Sequence, residues 1–457
     1  MRTVELDYGN MMSTRLQDRG IDPAYLEGEG AEAFARARTQ VLESREQGVL
    51  GFMDLPGAEA SAAAVQAVAD GFGQWFETLV VLGIGGSALG ARSVRDGILG
   101  PRWNELTQEE REHYPRLFVL DNPDPVTVSD LLDRIDLRTT LFNVVSKSGA
   151  TAETMAQYLV VADRLNRELG PDKARGHFIF TTDPATGALR RLADGSGIPT
   201  LAIPPNVGGR FSVLSPAGLL PAAATGVDTA ELLAGAGAML EACLSPELAK
   251  NPGGLLALLL HRADTAHGMR IHVLMPYADR LRSMALWFQQ LWAESLGKSE
   301  TVGPTPLPAV GTVDQHAQVQ LFMEGPRDKV VMFMKVADED RDPVALPSVH
   351  PDVPELEYLA GHSLRGLVEA ERRATAEALR LGGRMNLTLE LPAVTPRTLG
   401  ELFMLFEAAT VYAGALYGVN PLDQPGVELG KRLTYGLLGR EGFDASEIPD
   451  PDPRWRV

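Results

Sequence analysis

The stretch Thr140-Leu-Phe-Asn-Val-Val-Ser-Lys-Ser-Gly-Ala-Thr151 decides how this chain folds. Residues 140–145 are an apolar run of strand length, and 153–169 carry a helical pattern. Between them lie Ser146, Lys147, Ser148, Gly149, Ala150 and Thr151. A strand that ends in hydroxyls, a lysine and a glycine before a helix begins is suited to hold a phosphate. The helix N-terminus presents unpaired N–H groups and the positive end of its dipole. Ser146, Ser148 and Thr151 add hydroxyl donors, and Lys147 adds a charge. A helix cap without a ligand needs only one such hydroxyl; three with a lysine favour the anion.

Outward from this stretch the pattern alternates. Strands are predicted at 78–83, 117–121, 140–145, 177–181 and 200–203, with helices at 88–99, 126–135, 151–169 and 185–192. Right-handed crossovers make these a doubly wound domain whose ligands sit beyond the carboxyl ends of the strands. The loops at Gly83 and Ser146 both fall there. After the Pro/Gly-rich stretch 204–209 a second alternating region begins. Its predicted helices are 229–244, 254–267, 281–293, 363–381 and 398–417, and its strands 271–275, 330–336 and 385–391. The expected class is α/β: two doubly wound α/β/α lobes with parallel sheet cores and a helical C-terminal tail. Residues 1–50 read as mostly helical and are assigned to the larger lobe. The smaller first lobe spans 51–215, the larger second lobe 216–425 and the tail 426–457.

Composition narrows the class of function. A length of 457 residues, 45% hydrophobic, allows more than one substantial core. A net charge of −18 disfavours nonspecific adhesion to nucleic acid or anionic membrane. Cys243 is the only cysteine, which excludes an internal disulfide and fits a reducing, cytoplasmic compartment. The N-terminus lacks the apolar core of a secretory leader, and no apolar run approaches the ~20 residues of a membrane span. The histidines are scattered without metal-ligand spacing, so no structural metal is expected.

Further segments carry possible chemistry. Gly83-Ile-Gly-Gly-Ser-Ala-Leu-Gly90 satisfies the dinucleotide fingerprint at Gly83, Gly85 and Ala88, which makes a nicotinamide-dependent dehydrogenase one reading. The acidic residue wanted about 20 positions later is missing, since the next strand ends at Asp121. Gly85, Gly86 and Ser87 then serve to bring backbone close to a small sugar or phosphate. In Gln289-Gln-Leu-Trp-Ala-Glu-Ser-Leu-Gly-Lys298, Gln290 and Glu294 stand four apart on one helical face, with Gly297 as the cap. Alone, Glu294 reads as a solvated carboxylate. Gly208-Gly209-Arg210-Phe211-Ser212 aims one guanidinium at the interlobe cleft or at an interlobe salt bridge. Asp314-Gln315-His316 reads as a loop, and Asp423-Gln-Pro-Gly-Val-Glu-Leu-Gly-Lys431 as a glycine-bearing turn followed by a lysine.

Taken together, G-I-G-G-S-A-L-G, S-K-S-G-A-T-A-E-T, G-G-R-F-S, Q-Q-L-W-A-E-S-L-G-K, D-Q-H-A-Q and Q-P-G-V-E-L-G-K resemble, in order, the motifs of the glucose-6-phosphate isomerase family. The resemblance runs from about Gly83 to Lys431. It implies two sugar-isomerase lobes, a sugar-phosphate substrate, a homodimer with shared active sites, and a place in glycolysis and gluconeogenesis; no cofactor is expected, because such an isomerisation takes no electrons from the substrate. By that resemblance Ser146, Lys147, Ser148 and Thr151 are the phosphate clamp, and Gly86, Ser87, Gln290 and Gln424 contact the sugar. Glu294 is the base that moves a proton between C2 and C1, and Arg210 steadies the enediolate. His316, supplied by the neighbouring subunit, and Lys431 serve ring opening. Leu296 stands where many relatives carry asparagine, and Gly149 and Ala150 are smaller than their usual counterparts. A non-catalytic sugar-phosphate sensor on the same lobes is the alternative; it would need the clamp but neither Glu294 nor His316.

Overall fold

The computed structural model describes residues 3–72, 75–337, 344–446, 448–449 and 451–456. Among them, strands β1 (Glu5–Asp7), β2 (Thr78–Leu82), β3 (Arg116–Leu120), β4 (Thr140–Ser146), β5 (Phe178–Thr182), β6 (Thr200–Ala202), β7 (Ile271–Pro276), β8 (Thr305–Pro308), β9 (Lys329–Val336) and β10 (Asn386–Leu391) form two five-stranded sheets. The first has the order β3-β2-β4-β5-β6 with every pair parallel. The second has the order β1-β10-β9-β7-β8 and is parallel except for β1, which pairs antiparallel with β10.

Alternation along the strands explains the layering. Val80, Leu82, Phe142, Val144, Phe178 and Phe180 face an outer core of the first lobe. Leu79, Val81, Leu141, Val145 and Ile179 face the opposite way, into a core shared with the second lobe. The second sheet repeats the arrangement: Val273, Met275, Val331 and Phe333 face outward, while Leu274, Val330, Met332 and Leu387 join the shared core. Strands buried on both faces need continuous apolar runs, which these are. The two lobes therefore share one hydrophobic interior.

The helices that position the site are α1 (Glu29–Glu46), α2 (Leu89–Val94), α3 (Ala152–Leu169), α4 (Ala188–Ser196), α5 (Thr229–Cys243), α6 (Pro252–His267), α7 (Arg282–Leu296), α8 (Val313–Glu324), α9 (Leu364–Leu381), α10 (Pro396–Tyr417) and α11 (Glu428–Leu437). By length and composition α10 is apolar enough to cross a membrane, contrary to the expectation that no segment approaches this. It is instead the buried axis of the shared core, packed along α5, α6 and α7. Phe403 meets Trp287 edge-on at 4.9 Å, and Phe406 lies 4.9 Å from Phe288.

Several elements escaped the sequence pattern. Strand β8 contains Pro306 and Pro308, which argue against a strand except at a sheet edge, and β8 is an edge. Strand β1 is too short to show alternation. His316 is not in a loop but in the first turn of α8, a helix in which only Phe322 is buried, so apolar periodicity is nearly absent.

Two buried ionisable groups set the pH response of the core. His272 on β7 is fully buried and accepts the Trp292 indole N–H on Nδ1 at 3.0 Å. Burial pushes its imidazole down to about 4. Between that value and 6.5 the unfolded chain takes a proton that the native protein refuses, so stability falls with acidification by ~1.4 kcal/mol per pH unit from this residue. Urea titrations at pH 5 and pH 7 are expected to show this loss, and His272→Gln to shrink it. Glu407 on α10 acts in the opposite direction. Both its oxygens are buried without a partner among the described residues, and burial raises its carboxyl well above the ordinary range, so keeping it neutral opposes folding as pH rises.

Candidate active site

The loop after β4 forms a small hydroxyl cluster. Ser146 Oγ lies 2.9 Å and Ser148 Oγ 3.4 Å from Thr151 Oγ1. Thr151 occupies the N-cap position of α3, yet its side chain caps no N–H there. The hydroxyls face one another rather than the helix end, and the N-terminal N–H groups of α3 receive no bond from the N-cap side chain. Ser148 is exposed, Thr151 half-buried and Ser146 buried. Gly149 holds the loop against α4: its φ is +63°, and a Cβ there would lie 3.0 Å from the backbone nitrogens of Ala188 and Leu189.

Lys147 departs from the expected clamp. Its ammonium donates to the carbonyl oxygens of Pro205 and Val207, at 2.6 and 2.8 Å. It thus fastens the clamp loop to the chain just ahead of Gly208-Gly209-Arg210. Burial lowers its affinity for the proton, partly offset by the Asp183 carboxylate.

Arg210 is 4% exposed. Its Nε donates to Ser295 Oγ at 2.7 Å, Nη1 to Gln424 Oε1 at 3.0 Å, and Nη2 to the carbonyls of Pro421 at 2.6 Å and Asp423 at 3.0 Å. Nη1 also lies 3.2 Å from Glu294 Oε1. Burial lowers the guanidinium pKa, and the Glu294 and Asp423 carboxylates oppose that; the group remains a cation. The other Glu294 oxygen accepts Gln290 Nε2 at 3.0 Å across one turn of α7. Gln290 Oε1 is buried and has no partner among the described residues. Leu296, two residues further along the helix, is wholly buried in the core and brings no polar group to Glu294.

The glycine-rich loop completes the cluster, for a reason the sequence did not disclose. Gly85 has φ +57°, and a Cβ on it would lie 2.8 Å from Gln290 Nε2. A Cβ on Gly86 would lie 2.1 Å from the Gly209 carbonyl oxygen and 2.6 Å from Arg210 N. These glycines admit the protein's own Arg210 turn and Gln290. Ser87, beside them, is half-buried. Gly86→Ala is therefore expected to displace the Arg210 turn and lower kcat ~10²-fold, measured by steady-state kinetics beside a thermal-unfolding control.

His316 and Lys431 are not joined to this cluster within one chain. His316 is exposed on α8. Lys431 is exposed on α11, where its ammonium pairs with Glu428 Oε1 at 2.8 Å. Sequence inspection missed three participants: Ser295 and Asp423 as acceptors of Arg210, and Lys298, which bonds Asp423. All three lay inside quoted motifs, but nothing local distinguished them.

Two α/β lobes around a common core, with a hydroxyl-lined loop beyond the carboxyl end of the central strand β4 and a carboxylate–guanidinium pair, define a two-lobed sugar-isomerase architecture. The chain belongs to the phosphoglucose isomerase family, whose sequence model matches residues 65–446. It is 45% identical over 449 residues to a glucose-6-phosphate isomerase of Carboxydothermus hydrogenoformans, covering 96% of each chain. It is 44% identical to a glucose-6-phosphate isomerase of Rubrobacter xylanophilus, covering 97% of this chain and all of that one. Among solved structures, a glucose-6-phosphate isomerase from Chlamydia trachomatis superposes with a TM-score of 0.72 at 26% identity, over 86% of this chain and 74% of that one. A hypothetical protein of Thermus thermophilus superposes with a TM-score of 0.84 at 37% identity, over 95% of this chain and 100% of that one.

Proposed function

We propose that this protein interconverts D-glucose 6-phosphate and D-fructose 6-phosphate through a cis-enediolate. Membership of the phosphoglucose isomerase family supports this reading, as do the names of the relatives from C. hydrogenoformans and R. xylanophilus. The observation that carries it is the Glu294–Arg210 pair at 3.2 Å, with a hydroxyl-lined anion loop tethered to the same turn through Lys147. In the open-chain aldose, Glu294 takes the proton from C2, and the electron pair forms the C1–C2 double bond as charge moves onto O1. A proton passes from O2 to O1, and Glu294 returns its proton to C1. The enediolate carries negative charge where a fixed guanidinium lowers its energy most. Electrons stay within the substrate, so the steps as written need no redox partner.

Ring opening is assigned to Lys431 and to His316 of a second copy. Two features favour a homodimer with shared sites: His316 is exposed, and α11 with the residue that follows it presents Leu429, Leu437 and Leu438 to solvent. The buried thiol of Cys243 suits a cytoplasmic enzyme of glycolysis and gluconeogenesis.

A coupled assay with fructose 6-phosphate tests the reaction. Turnover is expected, with solvent deuterium entering the product at C2; tight sugar-phosphate binding without turnover would favour the sensor instead. Coexpressed Glu294→Gln and His316→Ala chains test the shared site. Mixed dimers are expected to regain activity that neither variant has alone, because one of their two sites holds both native groups.

A further inference from the structure

Arg210 owes much of its placement to one segment between α10 and α11. Pro421 and Asp423 supply backbone carbonyls and Gln424 supplies its amide oxygen. Inside the segment, Asn420 Nδ2 donates to Asp423 Oδ2 at 3.0 Å, and Leu422 N donates to Asn420 Oδ1 at 3.0 Å. From the opposite side comes Lys298, two residues beyond the end of the helix that carries Gln290, Glu294 and Ser295. Its ammonium donates to Asp423 Oδ1 at 2.8 Å and to the Asp423 carbonyl oxygen. Arg210 Nη2 reaches that same oxygen at 3.0 Å. The Lys298 side chain is 11% exposed while that of Asp423 is 51% exposed, so the lysine is held against the protein and the carboxylate faces solvent on one side.

Two cations share one peptide oxygen here, which is favourable only while each has its own anion. Asp423 neutralises Lys298, and Glu294 neutralises Arg210. We infer that Lys298 and Asp423 are a positioning pair for the isomerisation, locking the 420–424 segment to the end of the Glu294 helix so that Arg210 and Gln424 are held at the reacting carbons. The inference rests on the isomerase reading. Neither Lys298 nor Asp423 bonds Glu294, Gln290 or the clamp hydroxyls among the described residues, so their effect passes through Arg210 and Gln424. Phosphate binding, which belongs to the β4 loop, is left intact when the lock is broken.

Steady-state kinetics with fructose 6-phosphate tests this, with thermal unfolding run beside each variant. Lys298→Met is expected to lower kcat ~10- to 100-fold, the cost of a misplacement near 1 Å, while KM stays within about twofold. Asp423→Asn is expected to fall similarly, and the double variant no further than the worse single one, because both break one contact. Lys298→Arg, which keeps the charge and the reach, is expected to recover most of kcat. Wild-type kcat in Lys298→Met, additive losses in the double variant, or a raised KM at unchanged kcat would each overturn the pair's role. If Lys298→Met does not fold, Asp423→Asn and Lys298→Arg carry the same comparison. Failure of the isomerase reading is seen separately, as absent turnover in the wild type.

Discussion

Glu294→Gln is expected to lower kcat by ~10²–10⁴-fold, the range that a positioned general base contributes, with little change in KM. The substitution keeps shape and volume. A glutamine can still accept from Gln290 Nε2 or from Arg210 Nη1, the two partners that hold the carboxylate at 3.0 and 3.2 Å. What it cannot do is take a proton from carbon. Both carboxylate oxygens are already oriented by the protein, yet each retains a lone-pair direction for the substrate. The comparison is made with fructose 6-phosphate in the coupled assay and with exchange of solvent deuterium. Wild-type turnover by this variant would remove Glu294 from the chemistry.

Arg210→Met is expected to cost both activity and stability. Loss of the fixed cation beside the developing oxyanion should lower kcat ~10²–10³-fold. The folded state suffers as well, because Ser295 Oγ, Gln424 Oε1, the Pro421 carbonyl and one Glu294 oxygen lose the Arg210 donor, and the Asp423 carbonyl keeps only Lys298. Removing one member of a buried pair costs about 3–5 kcal/mol. Glu294 keeps 26% of its side chain exposed, which places this case near the lower end. Urea titration gives the stability change and steady-state kinetics the rate. Arg210→Lys keeps the charge but loses the planar fork of donors, so it is expected to fall between wild type and Arg210→Met. Equal activity in all three proteins would show that Arg210 only braces the fold.

The fold was legible where burial imposes periodicity. Every strand of the first sheet could be placed from apolar runs bounded by turns, because β2, β4 and β5 are buried on both faces. The second sheet was read less completely: β8 carries prolines tolerated only at an edge, and β1 is a three-residue addition recruited from the distant N-terminus. Helix α8 was read as loop because so little of it is buried. Among the site residues, Gln290 and Glu294 were legible as a pair, since i,i+4 spacing alone brings them together. Ser295, Lys298 and Asp423 were not, because a serine, a lysine and an aspartate acquire meaning only from what they face.

By itself the sequence determined what is local in this protein. The strand–loop–helix unit at Thr140–Thr151, the shared face of Gln290 and Glu294, and the glycine at 85 with its φ of +57° follow from backbone geometry over a few residues. Tertiary structure alone decided where the charges go. Lys147, expected at the phosphate, meets the carbonyls of Pro205 and Val207, 58 and 60 positions away. Arg210 reaches Ser295 across 85 positions and Gln424 across 214. Gly86 has no room for a side chain because the Gly209–Arg210 turn lies against it. Such contacts depend on how the two sheets close over their common core, and no short-range spacing encodes that closure.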